Sequence, residues 1–467
     1  MSPIRLRFGE LRHRAAGRRI GRSYDRHVDV SERTTVAPTR AVRALLVWAG
    51  LIVLAYFLGL PIVHHKPRTG IFAPPLVARF DPRFPVAAFL PVACAIVVVA
   101  SVPRLVPRMT WRRLLALSFA VAAAWAVSLA LTDGVSELTR PLREPVDYLH
   151  DVPLVGTPGA FLSTFVHRIG RYHQHVRAHP PGMVLLLWML DRAGLRGAGW
   201  EAFLEIGGGA AMVPAALIAL REWAGEPRAR AAAPFIAVAP IAVWIATSGD
   251  ALFAGVSTWA VTLIILAVRR SDLRSDVLAL GGGLLFGGAL MLSYGVLVLA
   301  AIPAMVAFED RRARPLIMAA VGASTVLLAF TAAGFWWASG LRASLVQYRT
   351  SVARFRPQSY FWLGDLAAFA IALGPATAAG LATLRDRRTW LLVGGGLLAV
   401  AVADASGLSK AEVERIWLPF APWVLMAGSA LAGPNLANPF GSVRSRAWLA
   451  STLGAGLAIQ LLLRTVW

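Results

Sequence analysis

Cysteine is nearly missing from this sequence: Cys94 stands alone, inside an apolar run. That excludes an intramolecular disulfide framework and any Cys-based metal site. Lysine is almost as scarce. Only Lys66 and Lys410 accompany 45 arginines among the 47 basic residues, a usage that points to a GC-rich bacterial genome. Charge of either sign is thin, at 15% of residues against about 25% in soluble chains. No cleavable signal peptide is visible, and no internal repeat argues for the inverted symmetry of a secondary transporter. Apolar residues fill the space. They make up 57% of 467 residues, at a mean hydropathy of +0.61, so lipid must solvate most of the surface. The net charge of +22 sits in short Arg clusters between apolar runs. That is the pattern of cytoplasmic membrane loops, and nucleic acid is not the partner it implies.

About 20 apolar residues cross a bilayer as a helix. Thirteen spans are predicted on that basis, near 42–63, 85–102, 114–132, 203–220, 231–248, 251–268, 277–293, 294–308, 315–336, 361–384, 389–403, 416–432 and 447–466. The expected fold is all-α, a polytopic membrane helix bundle. Residues 1–41 form an Arg-rich cytoplasmic tail, with eleven Arg from Arg5 to Arg43. Two added N-terminal spans occupy 42–113, and the core occupies 114–467 with a large outer loop at 133–202. The run from Gly182 to Leu190 is apolar for only about nine residues before Asp191 and Arg192, too few to cross. It is expected to lie along the outer surface as a juxtamembrane helix. The Arg clusters at 221–230, 269–274, 311–314, 385–388 and 444–446 then fall inside, while the outer turns at 248–250 and 292–296 hold none. Letting the segment span would invert them all, against the positive-inside rule. The chain is therefore expected in the plasma membrane, N-terminus inside and Trp467 outside.

The outer loops carry the candidate chemistry. Asp133 follows a span directly, with Glu137 four residues on, and a carboxylate there can take a proton from an acceptor hydroxyl. It could equally mark the interface. Glu144, Asp147, His150 and Asp151 crowd eight residues, a density that suits a divalent cation or a solvated loop. His173 and His175 have the spacing of a His-x-His pair, and His179-Pro180-Pro181 opens the short apolar helix. Asp250 sits in a tight turn within Thr247-Ser248-Gly249-Asp250-Ala251, where a carboxylate must be hydrated, paired or functional. The 337–360 loop bears Arg342, Tyr348, Arg349, Arg354 and Arg356 without an acid. Arg suits phosphate through its planar fork, and anionic headgroups would attract the same residues. Glu414 and Arg415 begin the next-to-last span.

This layout resembles the GT-C superfamily of membrane glycosyltransferases, which includes protein O-mannosyltransferases and aminoarabinose transferases. The resemblance rests on Asp133 opening the first outer loop, on the His179-Pro180-Pro181 segment, and on Asp250 before a span; it covers roughly 114–432. Gly134 stands where such enzymes usually have a second acid, and the second-span Arg of mannosyltransferase-like members has no match, with Glu201 and Glu205 in that region. The resemblance implies transfer of a sugar from a polyprenyl-phosphate donor to a glycan, lipid or protein acceptor on the extracytoplasmic face. Asp133 would be the base, Arg354, Arg356 and Arg415 would hold the lipid phosphate, and Glu137, Asp147, His179, Asp250, Tyr348 and Glu414 would line the substrate site. A divalent cation is compatible with these residues and not required by them. The rival reading is a transporter or flippase of a lipid-linked or envelope precursor.

Overall fold

The computed structural model describes residues 36–65, 67–433 and 439–465. Most of the tail assigned to 1–41 lies outside the described residues. Nineteen helices follow one another: α1 (Val36–His65), α2 (Phe89–Leu105), α3 (Trp111–Ala130), α4 (Pro158–Arg168), α5 (Gln174–Ala178), α6 (Gly182–Arg192), α7 (Ala198–Ala224), α8 (Glu226–Ala237), α9 (Gly249–Val268), α10 (Leu273–Leu292), α11 (Ala301–Glu309), α12 (Arg314–Ala332), α13 (Trp337–Thr350), α14 (Gln358–Leu373), α15 (Pro375–Thr383), α16 (Arg387–Ser406), α17 (Val413–Ile416), α18 (Ala421–Leu425) and α19 (Val443–Leu462). The protein is a polytopic membrane helix bundle.

Among the described residues, eight helices are long and apolar enough to cross a bilayer: α1, α2, α3, α7, α9, α10, α12 and α16. α14 and α15, bent by 96° at Gly374, make a ninth if they count as one span. The other four predicted spans do not meet that measure, and each has a local cause. The 231–248 run is cut after Ala237, with Pro234 and Pro240 on either side of the break. The 294–309 and 418–431 runs are short and partly 3₁₀, the latter broken up by Pro419 and Pro422. α19 has the length but carries Arg444, Arg446 and Gln460. The α6 segment is eleven residues, roughly 16 Å, and too short to cross.

α9 is the axis of the bundle, with 78% of its apolar stretch buried inside the protein, against 17% for α1 and α12 at the rim. Lipid supplies no hydrophobic drive between helices, so close backbone contact must do the work. A Cβ on Gly255 of α9 would fall 2.1 Å from the Gly208 carbonyl oxygen of α7, and one on Gly283 of α10 would fall 2.0 Å from the Ala319 oxygen of α12. Only glycine permits either approach.

The N-terminal pair is fastened to the core. The Trp48 indole donates to the Ala370 carbonyl at 2.9 Å, and Tyr360 Oη donates to the Ala55 carbonyl at 3.1 Å. A two-stranded antiparallel sheet, β1 (Ala78–Phe80) and β2 (Leu463–Thr465), joins the first loop to the chain end. The helix expected to run to 466 thus stops at Leu462. The backbone turns extended to pair with β1, and Arg83 Nη1 donates to the Leu463 carbonyl at 3.0 Å. Loop 133–202 folds into 3₁₀ turns, α4, α5 and α6. With α13 and the ends of α9 and α10 it encloses a second core around Tyr148, Phe161, Phe165, Met183, Phe253 and Phe335.

Candidate functional site

Three chain segments meet at this capped end: loop 133–202, the turn before α9, and the 407–417 connection. Arg415, 6% exposed, donates through Nη1 to Asp250 Oδ2 and through Nη2 to Glu412 Oε2 at 3.1 Å. Glu412 Oε1 accepts from Arg356 Nη2 at 3.1 Å. Arg356 also donates to the Thr69 carbonyl at 3.0 Å and to the Lys410 carbonyl at 2.6 Å. The result is an alternating Asp250–Arg415–Glu412–Arg356 chain of charges, all four side chains buried. Burial opposes charge on Glu412, but Arg415 and Arg356 outweigh it and bring its pKa below the ordinary glutamate range.

The backbone around this chain is strained. Thr247, Ala411 and Glu412 have φ of 76°, 65° and 62°. A β-branched residue in the left-handed region is an outlier that needs its surroundings to hold it there. Here they do. Asp365 Oδ1 accepts from the Ala411 N–H at 2.9 Å, and Ser248 Oγ donates to Asp250 Oδ2 at 3.3 Å. Tyr348 Oη donates to the Gly407 carbonyl at 3.2 Å and accepts from the Lys410 N–H at 3.1 Å, fixing the start of the same connection. Glu414 is fully buried, and burial raises its pKa to about 7.

Loop 133–202 contributes aromatic and imidazole rings. Tyr148 lies between His175 and His179, with ring centroids 5.4 and 5.9 Å away. A Cβ on Gly249 would fall 3.1 Å from the Tyr148 ring and 3.6 Å from Glu205 Oε1, so the glycine lets both approach. His179 Nδ1 is 2.9 Å from the His175 carbonyl, an arrangement in which Nδ1 carries the proton. Burial pushes the His179 pKa down to about 4, against the pull of Asp250. It is a neutral imidazole at physiological pH. His175 Nδ1 lies 3.3 Å from Asp147 Oδ2, and His173 Nδ1 lies 2.9 Å from Asp151 Oδ1. Each of the two histidines therefore has its own carboxylate. Among the described residues, no group of three or more His, Cys, Asp or Glu could hold a metal ion. Glu201 and Glu205, one turn apart on α7, back onto Asp147, and both are buried.

Asp133 stands in a neighbouring cleft. Both its oxygens accept from Arg83 Nε, at 2.7 and 2.9 Å, and Glu137 accepts from Arg140 Nε at 2.6 Å. Thr247 and Arg464 complete the cleft, whose space of about 40 Å³ suits a few waters. Of the residues singled out from sequence, the fold joins Asp250, Arg356 and Arg415 in one network, with His179, Asp147, Tyr348 and Glu414 around it. Asp133 and Glu137 share their cleft with Thr247, at the edge of the 247–250 turn. Arg354 stands apart, exposed and stacked on the Phe355 ring at 4.5 Å.

Sequence reasoning missed Glu412, the shared anion, although its segment was in view; nothing in the sequence announces its left-handed backbone. It missed Arg83 as the partner of Asp133, because 50 residues separate them. Glu201 and Glu205 did leave a signal, a carboxylate pair inside an apolar helix.

No protein-family model matches the chain, and no curated protein does. Among solved structures, the crystal structure of an oligosaccharyltransferase from Archaeoglobus fulgidus, in complex with zinc and sulfate, aligns over 67% of this chain. It does so at 15% identity with a TM-score of 0.38, a distant likeness. The chain spans 48% of that protein's length.

Proposed function

We propose that the chain is a membrane glycosyltransferase, moving a sugar from a polyprenyl-phosphate donor to an acceptor hydroxyl on the extracytoplasmic face. The observation that supports this most is the 247–250 turn. Thr247 borders the Asp133 cleft, and Asp250 holds Arg415. A candidate base and a buried network of paired charges therefore flank one strained turn, where the connecting loops gather. In the reaction, Asp133 accepts the proton of the acceptor hydroxyl as its oxygen bonds to the anomeric carbon. The bond from that carbon to the phosphate oxygen breaks, and its electron pair leaves with the polyprenyl phosphate. Arg83 orients the base through both carboxylate oxygens. Arg354 can meet a phosphate directly, whereas Arg356 and Arg415 are balanced by Glu412 and Asp250 and hold the turn in place.

A transporter or flippase is the second reading. Two observations favour it: the 96° break between α14 and α15, and buried carboxylates within the spanning helix α7. One experiment separates the two. Purified protein incubated with labelled polyprenyl-phosphate sugars releases free polyprenyl phosphate if it is a transferase. A transporter instead moves intact substrate across a proteoliposome wall with no release.

A further inference from the structure

Away from the charge network, the turns at 148–156, α6 and the start of α7 enclose a cavity of about 490 Å³, within the range of small-molecule sites. Its walls are Leu149, Val152, Leu187, Trp188, Leu190 and Leu195 with the buried carboxyl of Glu201, and its rim carries Asp191 and Arg192. The Arg192 guanidinium lies 5.9 Å over the Trp188 ring, and among the described residues no carboxylate pairs with it. Asp191 pairs with Arg196 at 3.1 Å, but Arg196 is 72% exposed, so the pair is worth little and another anion can compete for it. With Arg196 beside it, the rim holds two guanidinium groups against the Asp191 carboxylate, over leucine, valine and tryptophan side chains that share the lining with the buried Glu201 carboxyl. Depth is indicated as well. Gly197 and Glu201, which line the cavity, bracket Trp200. Trp200 and Phe203 are exposed in the first turns of the spanning helix α7, where aromatic side chains mark the headgroup level.

We propose that this cavity binds the apolar chain of a lipid whose phosphate headgroup rests on Arg192 and Arg196. The leucine, valine and tryptophan side chains suit an apolar chain, and the Arg192 and Arg196 guanidinium groups at headgroup depth select an anionic lipid over a zwitterionic one. Two sources carry that chemistry, a bilayer phospholipid and a polyprenyl phosphate.

The test uses full-length protein in nanodiscs that contain a phosphatidylglycerol with a photoactivatable group near its chain end, against phosphatidylcholine bearing the same chain. The anionic lipid is expected to label the 149–156 and 187–195 segments several-fold more strongly. Leu195→Trp should narrow the cavity and weaken that labelling while labelling of lipid-facing α1 persists. Arg192→Gln with Arg196→Gln, both at exposed positions, should bring the two lipids to parity. Unlabelled polyprenyl phosphate that displaces the probe at equal concentration identifies the donor-type lipid, and failure to displace it identifies a phospholipid site. Equal labelling by both lipids in the unaltered protein, or labelling that Leu195→Trp leaves unchanged, would overturn the proposal. Since the readout needs no turnover, it stands or falls separately from the transferase reading.

Discussion

Arg415 and Arg356 are buried with the Glu412 carboxylate between them, and neither cation could be kept there alone. Removing one partner of a buried pair typically costs about 3–5 kcal/mol, because the other charge stays behind unpaired. Glu412→Gln is therefore expected to lower the melting temperature in detergent more than Glu137→Gln, whose Arg140 partner is part-exposed. Asp250→Asn should destabilise as well, and adding Arg415→Met should restore part of the loss, a coupling that a double-mutant cycle reads directly. Glu414 makes the pH prediction. Its folded pKa of about 7 stands above the ordinary value of 4.5, so the folded state holds a proton that the unfolded state releases. The associated stability is full below pH 4.5 and is lost as pH rises through 7, up to about 3 kcal/mol at 1.36 per unit. Melting curves of Glu414→Gln against the parent should thus diverge in favour of the variant from pH 5 to 8; parallel curves would contradict a buried carboxyl there. At this scale the sequence was readable where chemistry forces a choice. Asp250 at the edge of a span and Arg in an outer loop both need a partner. Which partner they find depends on segments 165 residues apart, and no local pattern encodes that.

Helices α7, α9, α10 and α12 are held by backbone proximity, and the glycines set it. Gly255→Leu would drive its side chain into the Gly208 carbonyl, so a sharp fall in monodisperse protein is expected. Gly281→Leu, two residues before Gly283 on α10, meets nothing within 4 Å and should express normally. Equal yields from the two would remove close approach as the organising contact. Long apolar runs announced these elements well, since a window of about 20 residues is both the signal and the requirement. The misses share a cause. Runs such as 231–248 and 416–432 are apolar because protein buries them, as Trp244 and Trp423 show at 0% exposure, and hydropathy cannot tell a protein interior from lipid. Prolines at 234, 240, 419 and 422 were the available correction. The strand at 463–465 had no such cue, because its partner lies nearly 400 residues upstream.

Across the whole molecule, the short helix α6 decides which loops share a side. If 182–195 stays on the outer surface, reporters fused after Arg196 and after Arg228 should read outside and inside. The reverse pair would turn the bundle over and put the Asp133 cleft in the cytoplasm. The gathering of loop 133–202, the 247–250 turn and the 407–417 connection at one end was foreseeable from that sidedness; the cap they build with α13 was not, because its core of aromatic contacts is tertiary. The central claim is that Asp133 serves as base for glycosyl transfer at this end. It is tested most directly by single-turnover release of labelled polyprenyl phosphate from donor-loaded protein, comparing the parent with Asp133→Asn and Glu137→Gln at matched membrane expression. The account predicts a loss of about 10²–10⁴-fold in rate for Asp133→Asn with donor binding kept, and a smaller loss for Glu137→Gln. Undiminished release by a folded Asp133→Asn protein would contradict it.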